Sequence, residues 1–281
     1  MDSFVFVAVL FAAACHAGWN ALIKVGLDPL SSTTLISIGS GVVALCFVPF
    51  AGVAAAESWP WLIASVVIHL FYFAGLAESY RTGDLGQVYP IARGSAPLMT
   101  AAASAFIIGE QLSVTAWMGI LALVAGVFLL SARGGREIAK VDHRAVGFAL
   151  FTAVTISAYS IVDGIGARLS QNPAAYSLWL FVGIALVMVP YAHLRGGAAS
   201  YRGMQKFWKR GLTGGALQAA SYGIALWAMT LAPIAIVAAL RETSVLFGAA
   251  IAVVLLKEPL RAVRVFAAAM IVAGLALIRF H

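Results

Sequence analysis

The sequence predicts an all-α polytopic membrane protein in which ten transmembrane helices form two inverted five-helix repeats. Three observations carry this prediction: the composition, the spacing of the apolar runs and an internal repeat. Of the 281 residues, 62% are hydrophobic and only 10% are charged, whereas a soluble domain carries about 25% charged residues. The chain therefore lacks the polar surface that a protein surrounded by water needs.

Apolar runs of about 20 residues, the length that crosses a bilayer core, follow one another along the chain. They are separated by short segments such as GLDPLSS, RTGDLG and SQNP, whose Gly, Pro, Asn and Asp residues end helices. These boundaries predict ten helices, at residues 3–24, 31–51, 60–80, 85–107, 112–131, 144–167, 174–194, 207–231, 233–256 and 262–280.

An internal repeat relates the two halves of the chain. A shift of 148 residues superimposes three polar or small positions on identical residues: Gly75 on Gly223, Arg93 on Arg241, and Glu110 on Glu258. The repeat predicts a first five-helix copy at residues 1–131 and a second at residues 144–281. Because five is odd, the second copy crosses the membrane upside down relative to the first, as in many secondary transporters.

Two arginines lie deep within predicted spans. Arg93 and Arg241 each lie about 8 residues into a helix, about 12 Å from opposite faces of a core about 30 Å thick. Intramembrane charges are costly and mark functional sites by default, so the pair predicts a shared central site. Structural neutralisation is the alternative, and three acidic residues are candidate partners: Glu242, Asp163 and Glu78. Pairing in the empty state is also compatible with ligand capture in the loaded state.

Pro90 and Pro97 bracket Arg93. A proline inside a helix removes one backbone hydrogen bond and leaves carbonyls free nearby. The pair is typical either of a broken helix that presents those carbonyls to a ligand or of a packing kink.

Polar and aromatic residues recur on corresponding helices of both copies. His16, Trp19 and Asn20 have the i, i+3, i+4 spacing that places them on one helix face, and His69 and Tyr72 share a face of helix three. Such residues suit a cavity that mixes hydrogen bonds with stacking surface, although each alone also fits packing between helices. Beside the arginines, the predicted substrate-binding residues are His16, Trp19, Asn20, Tyr72, Tyr89, Tyr159, Gln218 and Tyr222.

Glu110 and Glu258 occupy matching positions just before helices five and ten. A carboxylate is favourable near a helix N-terminus. We expect both to cap the helices that they precede, a structural role.

The sequence carries no HExxH, no phosphate-binding P-loop and no cluster of His and Cys, so neither an enzyme nor a cofactor or metal is predicted. Cys15 and Cys46 fall within predicted spans and are expected to be buried thiols. The net charge of +7 resides mainly in short basic loops such as RGGREIAKVDHR, as membrane topology requires, which argues against nucleic-acid binding.

The segments GEQLSVTAWMGILALVAGVFLL and KEPLRAVRVFAAAMIVAGLALI resemble the two repeat ends of EamA-type drug/metabolite transporters. The resemblance implies a ten-helix carrier of small metabolites with a cavity lined by helices one, three, four, six, eight and nine. Related plastid phosphate translocators place cationic residues on helices four and nine, which implies that Arg93 and Arg241 hold an anion. Single arginines without an adjacent lysine leave carboxylate, phosphate and phosphonate open.

The two signals for orientation disagree. Of the 18 Lys and Arg residues, 14 lie in loops that follow odd-numbered helices, so the positive-inside rule places both termini outside. The resemblance implies termini in the cytoplasm, and the orientation stays open.

The predicted function is that of a secondary transporter in a bacterial-type inner membrane. It would move a small anionic or zwitterionic metabolite, such as an amino acid, organic acid, phosphate or phosphonate ester, by alternating access. Asp163 or Glu242 could carry a coupling proton. The alternative is an efflux carrier for amphipathic amines or drugs, in which these two carboxylates contact the ligand. The expected partners are the substrate and the bilayer, and the protein is expected to be monomeric.

Overall fold

The computed structural model describes residues 1–23, 27–82, 85–131, 143–198, 201, 203–256 and 262–280. These residues form α-helices joined by short turns, with no β-strand among them. The helices are α1 (Ser3–Ile23), α2 (Pro29–Ala51), α3 (Trp59–Thr82), α4 (Leu85–Ala103), α5 (Val114–Ser131), α6 (His143–Leu169), α7 (Pro173–Gly196), α8 (Trp208–Leu231), α9 (Ile234–Arg241), α10 (Ser244–Leu256) and α11 (Ala262–Arg279).

Among the described residues, eight segments are long and apolar enough to cross a membrane, and the apolar helix Val114–Leu130 is shorter. Large apolar side chains point outward from the bundle, including Phe50 and Phe106, which are 85% and 89% exposed. Such a surface is unfavourable in water and suits contact with lipid tails. The fold is therefore an all-helical polytopic membrane bundle.

Local sequence signals set where helices begin. Asp28 and Asn172 precede Pro29 and Pro173, the first residues of α2 and α7. The side chain of each cap accepts a hydrogen bond from the backbone N–H three residues later, at 3.0 Å. Proline suits the first helical position, where its missing N–H costs nothing, and Asp and Asn are favoured caps.

The interruption in the ninth apolar segment differs from the sequence prediction. Residues 233–256 form two helices, α9 and α10, separated at Glu242 and Thr243. The backbone N–H of each residue donates three residues back, to Ala239 at 3.0 Å and Leu240 at 3.1 Å, a tightened turn that ends α9.

Helix α4, in contrast, is continuous through Pro90 and Pro97. The broken helix considered for this segment is therefore wrong, and the kink alternative fits a helix that continues past both prolines. The segment ends instead in a π-helical turn over Ser104–Ile108, closed by Gly109 at a φ of 76°.

Glycines allow two helix pairs to touch backbone to backbone. A Cβ added to Gly39 of α2 would lie 2.1 Å from the carbonyl oxygen of Gly211 in α8. Gly119 of α5 and Gly274 of α11 meet in the same way, with added Cβ atoms 2.9 and 2.7 Å from the partner's oxygen. Lipid tails give no hydrophobic force between helices, so such close van der Waals packing holds these pairs together.

The two cysteines have different surroundings. Cys15 is buried, as expected, whereas Cys46 is exposed, so the prediction of a buried thiol is wrong at that position. Cys46 shares the outward side of α2 with the exposed Phe50. An apolar run does not reveal which of its faces meets neighbouring helices.

Candidate functional site

A cavity in the bundle, which we refer to as the central cavity, is lined by described residues of α1, α3, α6, α7, α8 and α9. Its volume is about 30 Å³, space for about two water molecules. It is lined by His16, Trp19, His69, Tyr72, Phe73, Tyr159, Phe181, Ile184, Gln218, Ser221, Tyr222 and Arg241.

Most of the predicted site residues meet at this cavity. Of the eight uncharged candidates, six line it: His16, Trp19, Tyr72, Tyr159, Gln218 and Tyr222. Asn20 is not among the lining residues. Its amide donates to the backbone oxygen of His16 in its own helix at 2.9 Å. The side chain of Tyr89 lies outside the described residues.

Aromatic rings form much of the wall. His69 stacks on Tyr159 with ring centroids 4.2 Å apart, and Tyr222 meets Tyr159 edge to face at 5.8 Å. The Nδ1 of His69 lies 2.9 Å from the backbone oxygen of Ser65. The Oγ of Ser65 lies 3.1 Å from the same nitrogen. The wall thus offers flat apolar faces and a few polar atoms.

Arg241 supplies the positive charge at the wall. It is the last residue of α9, where the helix dipole favours a cation. Its guanidinium carbon lies 4.8 Å from the ring centre of Tyr222, a cation–π distance. Its buried Nε has no hydrogen-bond partner, and neither has the Oε1 of Gln218 on the same wall. Both atoms are therefore available to a ligand.

Arg93 has different surroundings from Arg241. Its Nη2 lies 3.1 Å from Oε1 of Glu242, and both residues are buried, 6% and 4% exposed. Arg93 is not among the residues that line the central cavity. It thus forms an internal ion pair of the kind that the sequence offered as an alternative, and its part in substrate binding stays a prediction. No described carboxylate forms a salt bridge with Arg241 within 4.0 Å.

Asp163 lies behind the aromatic wall. Tyr222 donates to its Oδ2 at 2.5 Å, and Tyr176 donates to its Oδ1 at 2.9 Å. Asp163 is fully buried and does not line the central cavity. Tyr222 therefore contacts Asp163 through its hydroxyl and Arg241 through its ring face, so it links the buried acid to the cation at the wall.

Glu110 caps a helix, but not the one expected. The backbone N–H of Ile234 donates to Oε1 of Glu110 at 3.0 Å, so Glu110 caps α9 in the other half of the chain. Arg168 donates to the same oxygen at 2.7 Å. Helix α5 is capped by Ser113, whose Oγ accepts from the N–H of Ala116 at 3.1 Å.

Two further acidic candidates from the sequence are Glu258 and Glu78. Glu258, the equivalent of Glu110, lies outside the described residues. Glu78, a candidate partner for the arginines in the membrane, instead pairs with Arg195.

Sequence reasoning missed the contribution of α7. Phe181 and Ile184 line the central cavity, and no described residue of α4 does. The resemblance had implied a lining that includes helix four and omits helix seven. Helix α7 adds to that lining, and because the side chains of residues 85–90 in α4 lie outside the described residues, the part expected of helix four stays a prediction. Apolar residues in an apolar helix carry no signal that separates a cavity wall from ordinary packing. The described residues hold no cluster of three or more His, Cys, Asp or Glu that could bind a metal.

The fold and the cavity define a polytopic helical membrane protein with a polar site enclosed by its helices. The model of the EamA-like transporter family matches residues 3–132 and again residues 143–280. The chain belongs to this family, within the drug/metabolite transporter superfamily, and is thereby a membrane transporter.

Similarity of fold extends to a solved structure. A crystal structure described only as that of a protein is 21% identical in sequence, with a TM-score of 0.77. The match covers 99% of this chain and 96% of the other. The search of curated proteins gave no match. At this identity the likeness concerns the fold alone.

Proposed function

We propose that the protein is a secondary transporter that carries a small anionic or zwitterionic metabolite across a bacterial-type inner membrane through the central cavity. The observation that carries the proposal is Arg241, a buried guanidinium at the cavity wall with an unpaired Nε. A buried donor without a partner is costly, and a guanidinium matches a carboxylate or phosphate through charge-assisted hydrogen bonds. The anionic end of the substrate binds Arg241 and its body packs against the aromatic wall.

The proposal includes ten spans in two inverted copies. Besides the eight candidate spans and the shorter apolar helix, α8 has 24 residues, about 36 Å of helix. The contacts between helices support a two-fold relation between the two copies. The α3–α6 contact has its counterpart in α8–α1, the α4–α6 contact in α9–α1, and α2–α7 and α5–α11 pair equivalent helices. Such reciprocity is expected where a two-fold axis relates the copies.

The size of the cavity and its surroundings support alternating access. A volume of about 30 Å³ is too small for a metabolite, so loading requires the helices to move apart. On the face that carries both termini, Arg168 of the second copy joins the first copy through Glu110, and it also donates to the backbone oxygens of Met229 and Ala232 in its own copy, at 2.9 and 3.1 Å. Opening toward that face must break the contact with Glu110, and the mechanism needs no covalent step.

Efflux of amphipathic amines is the alternative that the sequence left open. It requires Glu242 or Asp163 to meet a cationic ligand. Glu242 is paired with Arg93, Asp163 accepts from two tyrosines, and neither residue lines the central cavity. This arrangement favours the anion over the amine.

Ligand-dependent thermal stabilisation of the purified protein tests the proposal. A panel of amino acids, organic acids, phosphate and phosphonate esters and amines is compared in the wild type and in Arg241→Gln. A ligand that binds the native state raises its melting temperature by mass action. We expect stabilisation by anions or zwitterions, lost in Arg241→Gln and retained in a matched control, Arg195→Gln, which removes an arginine outside the cavity. Stabilisation by amines alone, or by anions equally in Arg241→Gln, would contradict it.

A further inference from the structure

The balance of buried charge around the central cavity restricts what charge a ligand can bring. Four buried residues carry it: Arg93, Arg241, Glu242 and Asp163. Two are cationic and two acidic, and of the four only Arg241 lines the cavity. Within the part of the chain that the structure describes, the cavity wall therefore presents one cation, although the sequence places two arginines in the membrane at equivalent positions.

Glu242 is the reason that the second arginine is not available. It follows Arg241 directly in the chain, at the turn between α9 and α10, yet its carboxylate is 3.1 Å from the guanidinium of Arg93 in α4. One carboxylate oxygen, Oε2, is buried with no hydrogen-bond partner. A negative charge thus lies in the turn that directly follows Arg241 in the chain.

We propose that Glu242 sets the charge selectivity of the transporter, so that the cavity accepts anionic groups with a single negative charge and excludes doubly charged ones. A singly charged group meets Arg241, the cation that the described residues place at the wall. A doubly charged group brings a second negative charge, which Arg93 does not offset because it is paired with Glu242, in surroundings where charges interact far more strongly than in water. This inference rests on the proposed function, because it concerns the anion that Arg241 binds, and it narrows the substrate class to carboxylates and other monoanionic groups.

Phenyl sulfate and phenyl phosphate separate charge from shape. Both are tetrahedral esters with the same ring, and the ring suits the aromatic wall. The sulfate has one charge throughout, whereas the phosphate has its second ionisation near pH 6, so it is largely a monoanion at about pH 5 and a dianion at about pH 7.5. Binding to the purified full-length protein is measured by calorimetry at both pH values. Expressing phosphate affinity relative to sulfate at each pH cancels titration of His16, His69 or Asp163.

The wild type should bind the two esters with similar affinity at about pH 5 and the phosphate about tenfold more weakly than the sulfate at about pH 7.5. Glu242→Gln removes the acidic partner of Arg93, so Glu242 no longer offsets the positive charge of Arg93. The affinity for the phosphate should then equal or exceed the affinity for the sulfate at the higher pH. The double variant Arg93→Gln with Glu242→Gln removes both charges and should restore discrimination. Glu78→Gln, which removes a carboxylate paired with Arg195, is the matched control and should behave as the wild type.

The outcomes distinguish this inference from the function on which it rests. Equal binding of both esters by the wild type at about pH 7.5 would overturn the role of Glu242 and leave an anion carrier. Binding of neither ester, nor of benzoate, at either pH would overturn the proposed function itself. If Glu242→Gln does not fold, Arg93→Gln, which keeps the Glu242 carboxylate and removes its partner, should weaken phosphate further relative to sulfate at the higher pH, and a ratio unchanged from the wild type would overturn the role of Glu242.

Discussion

The two membrane arginines occupy equivalent positions in the repeat but have different surroundings. Arg93 lies within the continuous helix α4 and is followed by Gly94, while Arg241 ends the short helix α9 and is followed by Glu242. The acid that follows Arg241 pairs with Arg93, which leaves Arg241 at the cavity wall. Two identical residues can therefore occupy equivalent positions in a repeat and still have different surroundings, because the residue that follows one of them differs.

The largest expected effect comes from breaking the paired arginine. Arg93→Gln leaves the Glu242 carboxylate buried without its partner, and removing one member of a buried ion pair costs about 3–5 kcal/mol. We expect that loss in the free energy of unfolding, measured in detergent micelles titrated with a denaturing detergent.

A double variant checks the physical reason. Arg93→Gln with Glu242→Gln removes both charges, so most of the lost stability should return. If the single and double variants are equally destabilised, the cost arises from packing around Arg93 and not from an unpaired charge.

Arg241→Gln should show the opposite pattern, with little change in stability and a large loss of binding. Hydrogen bonds to charged groups contribute about 1.5–3 kcal/mol, so the affinity for a carboxylate ligand should fall about 10- to 100-fold. Calorimetric titration of the two single variants against the same ligand measures this contrast. An equal loss of affinity in both would mean that the two arginines act together as a clamp.

Tyr222 allows its two contacts to be separated. Tyr222→Phe removes the hydrogen bond to Asp163 and keeps the ring beneath Arg241, so it should cost about 1–3 kcal/mol of stability with little change in affinity. Tyr222→Leu also removes the cation–π contact, worth up to about 2 kcal/mol. Affinity should therefore fall further in the leucine variant, and equal affinity in the two would show that the ring does not position Arg241.

The smallest effect is expected at Glu110, which caps the end of α9 opposite to Arg241. Glu110→Ala removes the cap of α9 and should cost about 0.5–2 kcal/mol of stability. Glu110→Gln keeps an oxygen acceptor for the N–H of Ile234 and loses mainly the charge facing Arg168, so it should cost less. Thermal unfolding of the two variants measures the difference, and an equal loss in both would assign the role to the ion pair instead of the cap.

The helices and much of the cavity wall were predictable from sequence. Apolar runs separated by Gly, Pro and Asn give the helix boundaries, and polar residues are costly enough in lipid that His16, Tyr159 and Gln218 had to face the interior of the bundle. The spacing of His16 and Trp19 then placed both on one face. These inferences use only local patterns and the cost of polarity in a membrane.

What could not be predicted depends on contacts between distant segments. The turn at Glu242 and Thr243 contains neither Gly nor Pro, the usual marks of a helix end. The partner of Glu242 lies on another helix, as do the N–H groups that Glu110 caps. Phe181 of α7 resembles any other apolar residue of a membrane helix. Such features are set by packing, which one sequence does not contain.

Transport assays in proteoliposomes test the proposal that Arg241 holds the transported anion while Arg93 is structural. Exchange of a labelled carboxylate that stabilises the wild type is compared in Arg241→Gln and in the double variant Arg93→Gln with Glu242→Gln. We expect Arg241→Gln to abolish exchange. The double variant keeps the cation at the cavity wall and should retain exchange. Exchange that persists in Arg241→Gln and is lost in the double variant would show that the anion is held by Arg93 and Glu242 and not by Arg241.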